Sequence, residues 1–331
     1  MPPHPAFTEN YIGYAHLPLH WLPAMLFSGS AGNVPEPVTI PWAGELNNTV
    51  LPYLQGIEAC NMAGGIHALV SAALMQRCPV FSFGGMPEAH AFAESVKAML
   101  PELQALVRTT GRYVQLQNLQ TYTEGNFCTL MLSFTTGDAA GQNMATISTD
   151  ALCRMLQAHF GLPKGSWFIE GNMSGDKKYS SASFLITRGR RVNASVSLPA
   201  ALLAEKGLSA KSIVALWQSD AARFIRAGEK GNVFGIAGPV SAVFTATGQD
   251  VACVAESALG LLRVQENNQN LDVYLTLPGL PVGSVGGGTA LPAAKAILQT
   301  LDCAGEGKAN RLAEIIGAFL LAGEVGKMLG V

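Results

Sequence analysis

Along this chain the apolar positions change period several times, and the changes mark its parts. Residues 1–50 are rich in Pro and Gly with short apolar pieces such as Val38-Thr39-Ile40, which predicts loops and edge strands. Between Glu58 and Arg77 apolar residues recur at spacings of three and four, the helical pattern, and Gly64-Gly65 within it marks the close approach of another backbone. From Pro79 the character shifts. Helical stretches at 88–106 and 149–160 bracket strand-like runs at 113–122 and 128–136, which Glu124-Gly125-Asn126 joins as a hairpin turn. That helix-strand-strand-helix order fits a small split βαβ unit with borders near 79 and 168. After the apolar run Trp167-Phe168-Ile169, segments 183–186 and 192–196 predict a second hairpin around Arg188-Gly189-Arg190-Arg191. Pro239 opens a long helix that would contain Asp250. A strand at 271–277, a glycine loop at 283–288 and two helices at 290–301 and 310–329 complete an α+β pattern.

Composition narrows the functional classes. With 331 residues, 49% hydrophobic and 13% charged, the chain can bury a large core and probes the size range of two folding units. A formal charge of −2 supplies no broad positive field, which disfavours nucleic acid and anionic membranes as partners. Cysteines 60, 78, 128, 153, 253 and 303 show no CxxC spacing, so we expect reduced, buried thiols in a cytoplasmic protein with no metal site. The start Met1-Pro2-Pro3-His4-Pro5 lacks the pattern of a signal peptide, and no window has the roughly 20 apolar residues of a membrane helix.

The densest chemistry lies in Gly171-Asn172-Met173-Ser174-Gly175-Asp176-Lys177-Lys178, a turn between structured runs. Alone, it reads first as a solvated turn that carries an ordinary acid-base pair. Its company is Glu9-Asn10-Tyr11-Ile12-Gly13-Tyr14, Gly137-Asp138-Ala139-Ala140-Gly141-Gln142-Asn143-Met144, Thr247-Gly248-Gln249-Asp250 and Gly283-Ser284-Val285-Gly286-Gly287-Gly288-Thr289. In collinear order, from Glu9 to the end of the sequence, these motifs resemble the hydroxymethylglutaryl-CoA reductase family, which reduces a CoA thioester to an alcohol with two nicotinamide hydrides.

The resemblance implies a fold and a set of roles. It implies an α+β fold: a large catalytic domain, residues 1–78 and 169–331, into which a small ferredoxin-like (split βαβ) dinucleotide-binding domain, 79–168, is inserted. Hydride addition places negative charge on a carbonyl oxygen, which a fixed cation stabilises. Lys177 matches the family's catalytic lysine, Asp250 the aspartate that sets its charge, and Glu58 the proton donor. Arg77 and Lys178 match groups that hold the substrate. For the dinucleotide, the small residues of 138–144 before a helix allow close approach to a pyrophosphate, so Asp138, Gly141, Gln142, Asn143 and Met144 are candidates. Arg112 stands where relatives that use NADPH carry a cation for the 2′-phosphate, which makes NADPH the expected cofactor ahead of NADH. Gly286 and Gly287 would lie near the coenzyme, and a homodimer with active sites across its interface is implied.

Substrate recognition departs from the family pattern. Gln218 stands near the place of a lysine that contacts the substrate carboxylate, Glu170 replaces a serine, and 64–70 lacks the arginines that would bind CoA phosphates. No histidine follows His159, so the acid that protonates the departing thiolate is not found among these residues. The sequence therefore predicts an NAD(P)H-dependent reductase of an acyl thioester, on CoA or a carrier protein, or of the derived aldehyde or ketone, with a substrate other than hydroxymethylglutaryl-CoA. A redox-neutral enzyme that uses the lysine to polarise a carbonyl, and a non-catalytic binding protein, stay open as alternatives.

Overall fold

The computed structural model describes residues 16–330 except Asn33 and Asn47, so the motif Glu9–Tyr14 lies outside the described residues. Four short strands come first: β1 (Leu19–Trp21), β2 (Met25–Ser28), β3 (Glu36–Val38) and β4 (Pro41–Ala43). Helix α1 (Leu51–Met62) then leads into the 12-residue strand β5 (Ile66–Arg77). The helix expected to run from Glu58 to Arg77 is thus a helix followed by a strand. Gly64 and Gly65 take φ of +95° and +104°, which ends the helix. A side chain on Gly65 would also meet the Leu26 carbonyl oxygen at 2.9 Å.

The next elements are β6 (Val80–Ser82), α2 (Met86–Ala98), α3 (Leu100–Thr110), β7 (Gln115–Glu124), β8 (Phe127–Thr135), α4 (Gln142–His159) and β9 (Trp167–Phe168). The single helical stretch predicted over 88–106 is two helices, because Pro101 cannot donate the hydrogen bond that would continue α2. Strand β8 pairs antiparallel with both β7 and β6, and β6 pairs antiparallel with β9. The order β9-β6-β8-β7 with helices in the two crossovers is ferredoxin-like. Phe81, Phe92, Val107, Leu132, Phe134 and Leu152 belong to its separate apolar cluster.

Beyond it lie β10 (Gly189–Leu198), α5 (Ala200–Glu205), α6 (Ala210–Ala227), α7 (Ala237–Thr247), α8 (Val254–Ser257), β11 (Leu261–Asn267), β12 (Asn270–Leu280), α9 (Pro292–Thr300) and α10 (Ala309–Met328). The strand order β11-β12-β10-β5 is antiparallel throughout, and β2 joins it by pairing parallel with the start of β5 and carries β3 beside it. Strand β5 continues past this sheet to pair with β8 through Met75, Gln76 and Arg77. One strand therefore ties the two units together and delivers Arg77 at their junction. Helix α10 is buried along nearly its whole length and forms the middle of the larger core. It packs against α1 at glycines: a side chain on Gly56 would collide with the Ala322 carbonyl at 1.7 Å, and one on Gly326 with the Pro52 carbonyl at 1.8 Å. Among the described residues no helix is long and apolar enough to cross a membrane.

Two further expectations change. Residues Ser181–Phe184 form a 3-10 turn instead of a hairpin strand, since the Ser180 hydroxyl accepts from the Ala182 amide and gives the backbone a local partner. Helix α7 ends at Thr247, where Gly248 adopts φ +68°, so Asp250 lies beyond it and caps the 3-10 turn Val251–Cys253 through the Ala252 amide.

Candidate active site

The turn that carries Lys177 is fixed from beneath by buried charge. Asp176 pairs with Arg188 Nη2 and, at 2.6 Å, with Arg77 Nη1. Arg188, 1% exposed, donates to the Gln76 carbonyl at 2.8 Å and sets its Nε 2.5 Å from Glu256 Oε2. The other oxygen of Glu256 accepts the Lys177 amide at 3.3 Å. These anchors hold Lys177 at φ +53°, a left-handed conformation that costs a residue with a side chain on the order of 1 kcal/mol. The lysine side chain is thereby aimed at Asp250, with Nζ 2.9 Å from Oδ2.

Their proton affinities follow from this packing. The hydrogen bond that Lys177 donates to Asp250, which outweighs partial burial, holds the ammonium above its ordinary pKa. Burial would raise Asp250, but its bonds to Lys177 and Ala252 prevail and lower it. Burial likewise opposes ionisation of Asp176, yet Arg188 and Arg77 hold it below the usual carboxylate range. Glu256 goes the other way: burial exceeds the pull of Arg188 and raises it.

Lys177 and Asp250 share a cavity of about 710 Å³. Arg77, the start of α4 and the loop Gly286–Thr289 complete its walls. The loops are locked by backbone contact. Gly248 and Gly288 lie so close that a side chain on either would meet the other's carbonyl oxygen, at 2.3 and 2.4 Å. The Gln249 side chain bonds both backbone groups of Gly283, accepting at 2.8 Å and donating at 3.0 Å. Gly141 caps α4 at φ +97°, where a side chain would strike Thr136. The amide groups of the first turn of α4 have no helical partner, so this wall suits an anion.

Several candidates gather here and others do not. Lys177, Asp250, Arg77, Gly141, Gln142, Asn143, Met144, Gly286 and Gly287 line the cavity. Glu170 lies behind Arg77, 3.5 Å from Nη1. Glu58 is exposed on α1 and does not line the cavity, because Tyr53, Ile57 and Cys60 direct the other face of that helix inward. Gln218, exposed on α6, is also outside it. Lys178 turns back to donate to the Asp176 carbonyl at 3.1 Å, and Arg112 lies over the Tyr113 ring. The Asp138 carboxylate is occupied with the amides of Gly307 and Ala309, at 2.7 and 3.2 Å, at the start of α10. Sequence reasoning missed Arg188 and Glu256. For Glu256 the only signal was its small and apolar flanks, Val254-Ala255 and Ala258, which make a buried partner necessary; Arg188, between Thr187 and Gly189, carried none.

With this geometry in place, the comparisons are unambiguous about kinship. The family profile described as hydroxymethylglutaryl-coenzyme A reductase matches residues 4–330. A 3-hydroxy-3-methylglutaryl-coenzyme A reductase of Aeropyrum pernix is 32% identical over 328 residues, covering 96% of this chain and 76% of the relative. One of Halobacterium salinarum is 32% identical over 325 residues, covering 96% and 79%. In fold, the chain is similar to a class II reductase of Streptococcus pneumoniae solved with NADPH, at TM-score 0.76 and 22% identity, with 97% of this chain and 86% of that one covered. The chain belongs to the hydroxymethylglutaryl-coenzyme A reductase family.

Proposed function

We propose that the protein is an NADPH-dependent reductase of an acyl thioester or of the aldehyde or ketone derived from it. The observation that carries this reading is the Lys177 ammonium, held by Asp250 in a cavity that is also lined by a helix start suited to phosphate. Bound NADPH would supply the hydride. Gly141, Gln142, Asn143 and Met144 would hold its pyrophosphate against α4, with Gly286 and Gly287 beside it and Arg112 toward the 2′-phosphate. The Gly141 backbone, with no room for a side chain, supports that fit. Residues 79–168 would form the dinucleotide-binding domain.

Lys177 would donate a hydrogen bond to the carbonyl oxygen and stabilise the negative charge that develops there. Asp250 would keep the lysine protonated. The proton for the alkoxide would come from Glu58, and its exposed position outside the cavity supports delivery from a second copy of the chain in a homodimer. Glu170 and Gln218, where the family resemblance expects serine and lysine, support an acyl substrate other than hydroxymethylglutaryl-CoA. The test is NADPH oxidation by purified protein with CoA thioesters, carrier-bound thioesters and free aldehydes, the products read by mass spectrometry. Failure to bind NADPH in calorimetry would end the proposal.

A further inference from the structure

Negative charge already crowds the Arg77 end of the cavity. Arg77 Nη1 serves both Asp176 Oδ2 at 2.6 Å and Glu170 Oε2 at 3.5 Å, and Nε donates to Thr146 Oγ1 at 2.8 Å. Asp176 shares Arg188, which also meets Glu256. With Lys177 paired to Asp250, three cations (Arg77, Lys177, Arg188) face four carboxylates (Glu170, Asp176, Asp250, Glu256), a formal excess of one negative charge. Glu170 Oε1 is buried and has no donor, so the excess is not relieved there. Lys178 does not offset it at the cavity, since it is exposed and bonded to the Asp176 carbonyl. Arg77 Nη2, in contrast, has no hydrogen bond to the protein among the described residues.

We infer that the acyl group accepted at Arg77 is uncharged at its far end and carries a neutral acceptor, such as a hydroxyl or carbonyl oxygen, in place of a carboxylate. This deepens, and rests on, the thioester-reductase proposal. A neutral acceptor can take the open Nη2 donors without adding charge. A carboxylate would approach a guanidinium whose charge two acids already share, and would meet those acids at short range with little water between them. Glu170 is the specificity-determining residue, because it supplies the unmatched charge.

Binding tests the selection apart from turnover. Two non-reducible thioether analogues of an acyl-CoA, matched in shape and ending in a carboxylate or a carboxamide, are titrated calorimetrically in the presence of NADP. The native protein should bind the carboxamide about 10-fold more tightly or better, and Glu170→Gln should reduce the ratio to about 2-fold or less. Glu170→Ser, which removes bulk as well as charge, should follow Glu170→Gln. Equal or tighter binding of the carboxylate by the native protein, an unchanged ratio in both variants, or no binding of the carboxamide would overturn the inference. NADPH oxidation with the parent thioesters is measured separately. Preserved discrimination without oxidation would defeat the reductase proposal and leave the charge selection standing.

Discussion

The Asp250 carboxylate meets the Lys177 ammonium at 2.9 Å, although the two residues lie on separate turns 73 positions apart, with β10, α5, α6 and α7 between them. Two separate devices make the meeting possible. Arg188 and Glu256 brace the lysine's left-handed backbone, and the backbone contact between Gly248 and Gly288 sets the turn that presents the aspartate.

Because the bond to Asp250 raises the Lys177 pKa, its removal must lower it. In the Asp250→Asn variant, the alkaline loss of kcat/KM should begin at lower pH than in the native enzyme. An alkaline limb that stays in place, read from pH-rate profiles with the same thioester, would show that Lys177 is not the titrating group.

Asp176 has a depressed pKa in the fold, so its ionised form stabilises the protein above the unfolded aspartate value of about 3.9. That contribution is lost as pH falls through the lower folded value. Asp176→Asn should therefore cost about 3 kcal/mol at neutral pH, by breaking a largely buried pair, and the gap should begin to narrow only below about pH 4 and close as pH falls through the lower folded value. Denaturant unfolding at a series of pH values measures both.

Gly248→Ala places a methyl group 2.3 Å from the Gly288 carbonyl oxygen at a backbone φ of +68°. We expect a loss of about 2 kcal/mol or more, visible in thermal melts, with a larger proportional loss of kcat as the Asp250 turn shifts.

A proton donor delivered by a second copy can be detected by complementation. Glu58→Gln and Lys177→Ala proteins should each be inactive, while co-refolded mixtures should recover about a quarter of native activity, since half of the dimers are hybrids with one intact site of two. Mixtures as inactive as their parents would show that Glu58 does not act across the interface.

The sequence carried the α+β class, the two closing helices and the 125–126 hairpin, because each rests on local periodicity or a turn residue. It misread Glu58 to Arg77 as one helix. Small apolar residues satisfy a spacing of four almost as well as a spacing of two, and only the two glycines showed where the period changed. Lys177 and Asp250 were legible through their motifs. Arg188 and Glu256 were not, since a pair 68 positions apart in the chain becomes visible only when β10 and α8 meet beneath the turn. Asp138 sits in a motif suited to phosphate, and its carboxylate accepts from the Gly307 and Ala309 amides at the start of α10, a long-range bond that the motif did not announce.

Steady-state NADPH oxidation by the native protein and by Lys177→Ala, with a thioester the native protein reduces, tests the central claim most directly. The account predicts a fall in kcat of about 10³-fold, with NADPH affinity and melting temperature retained. A variant that turns over at the native rate would contradict it.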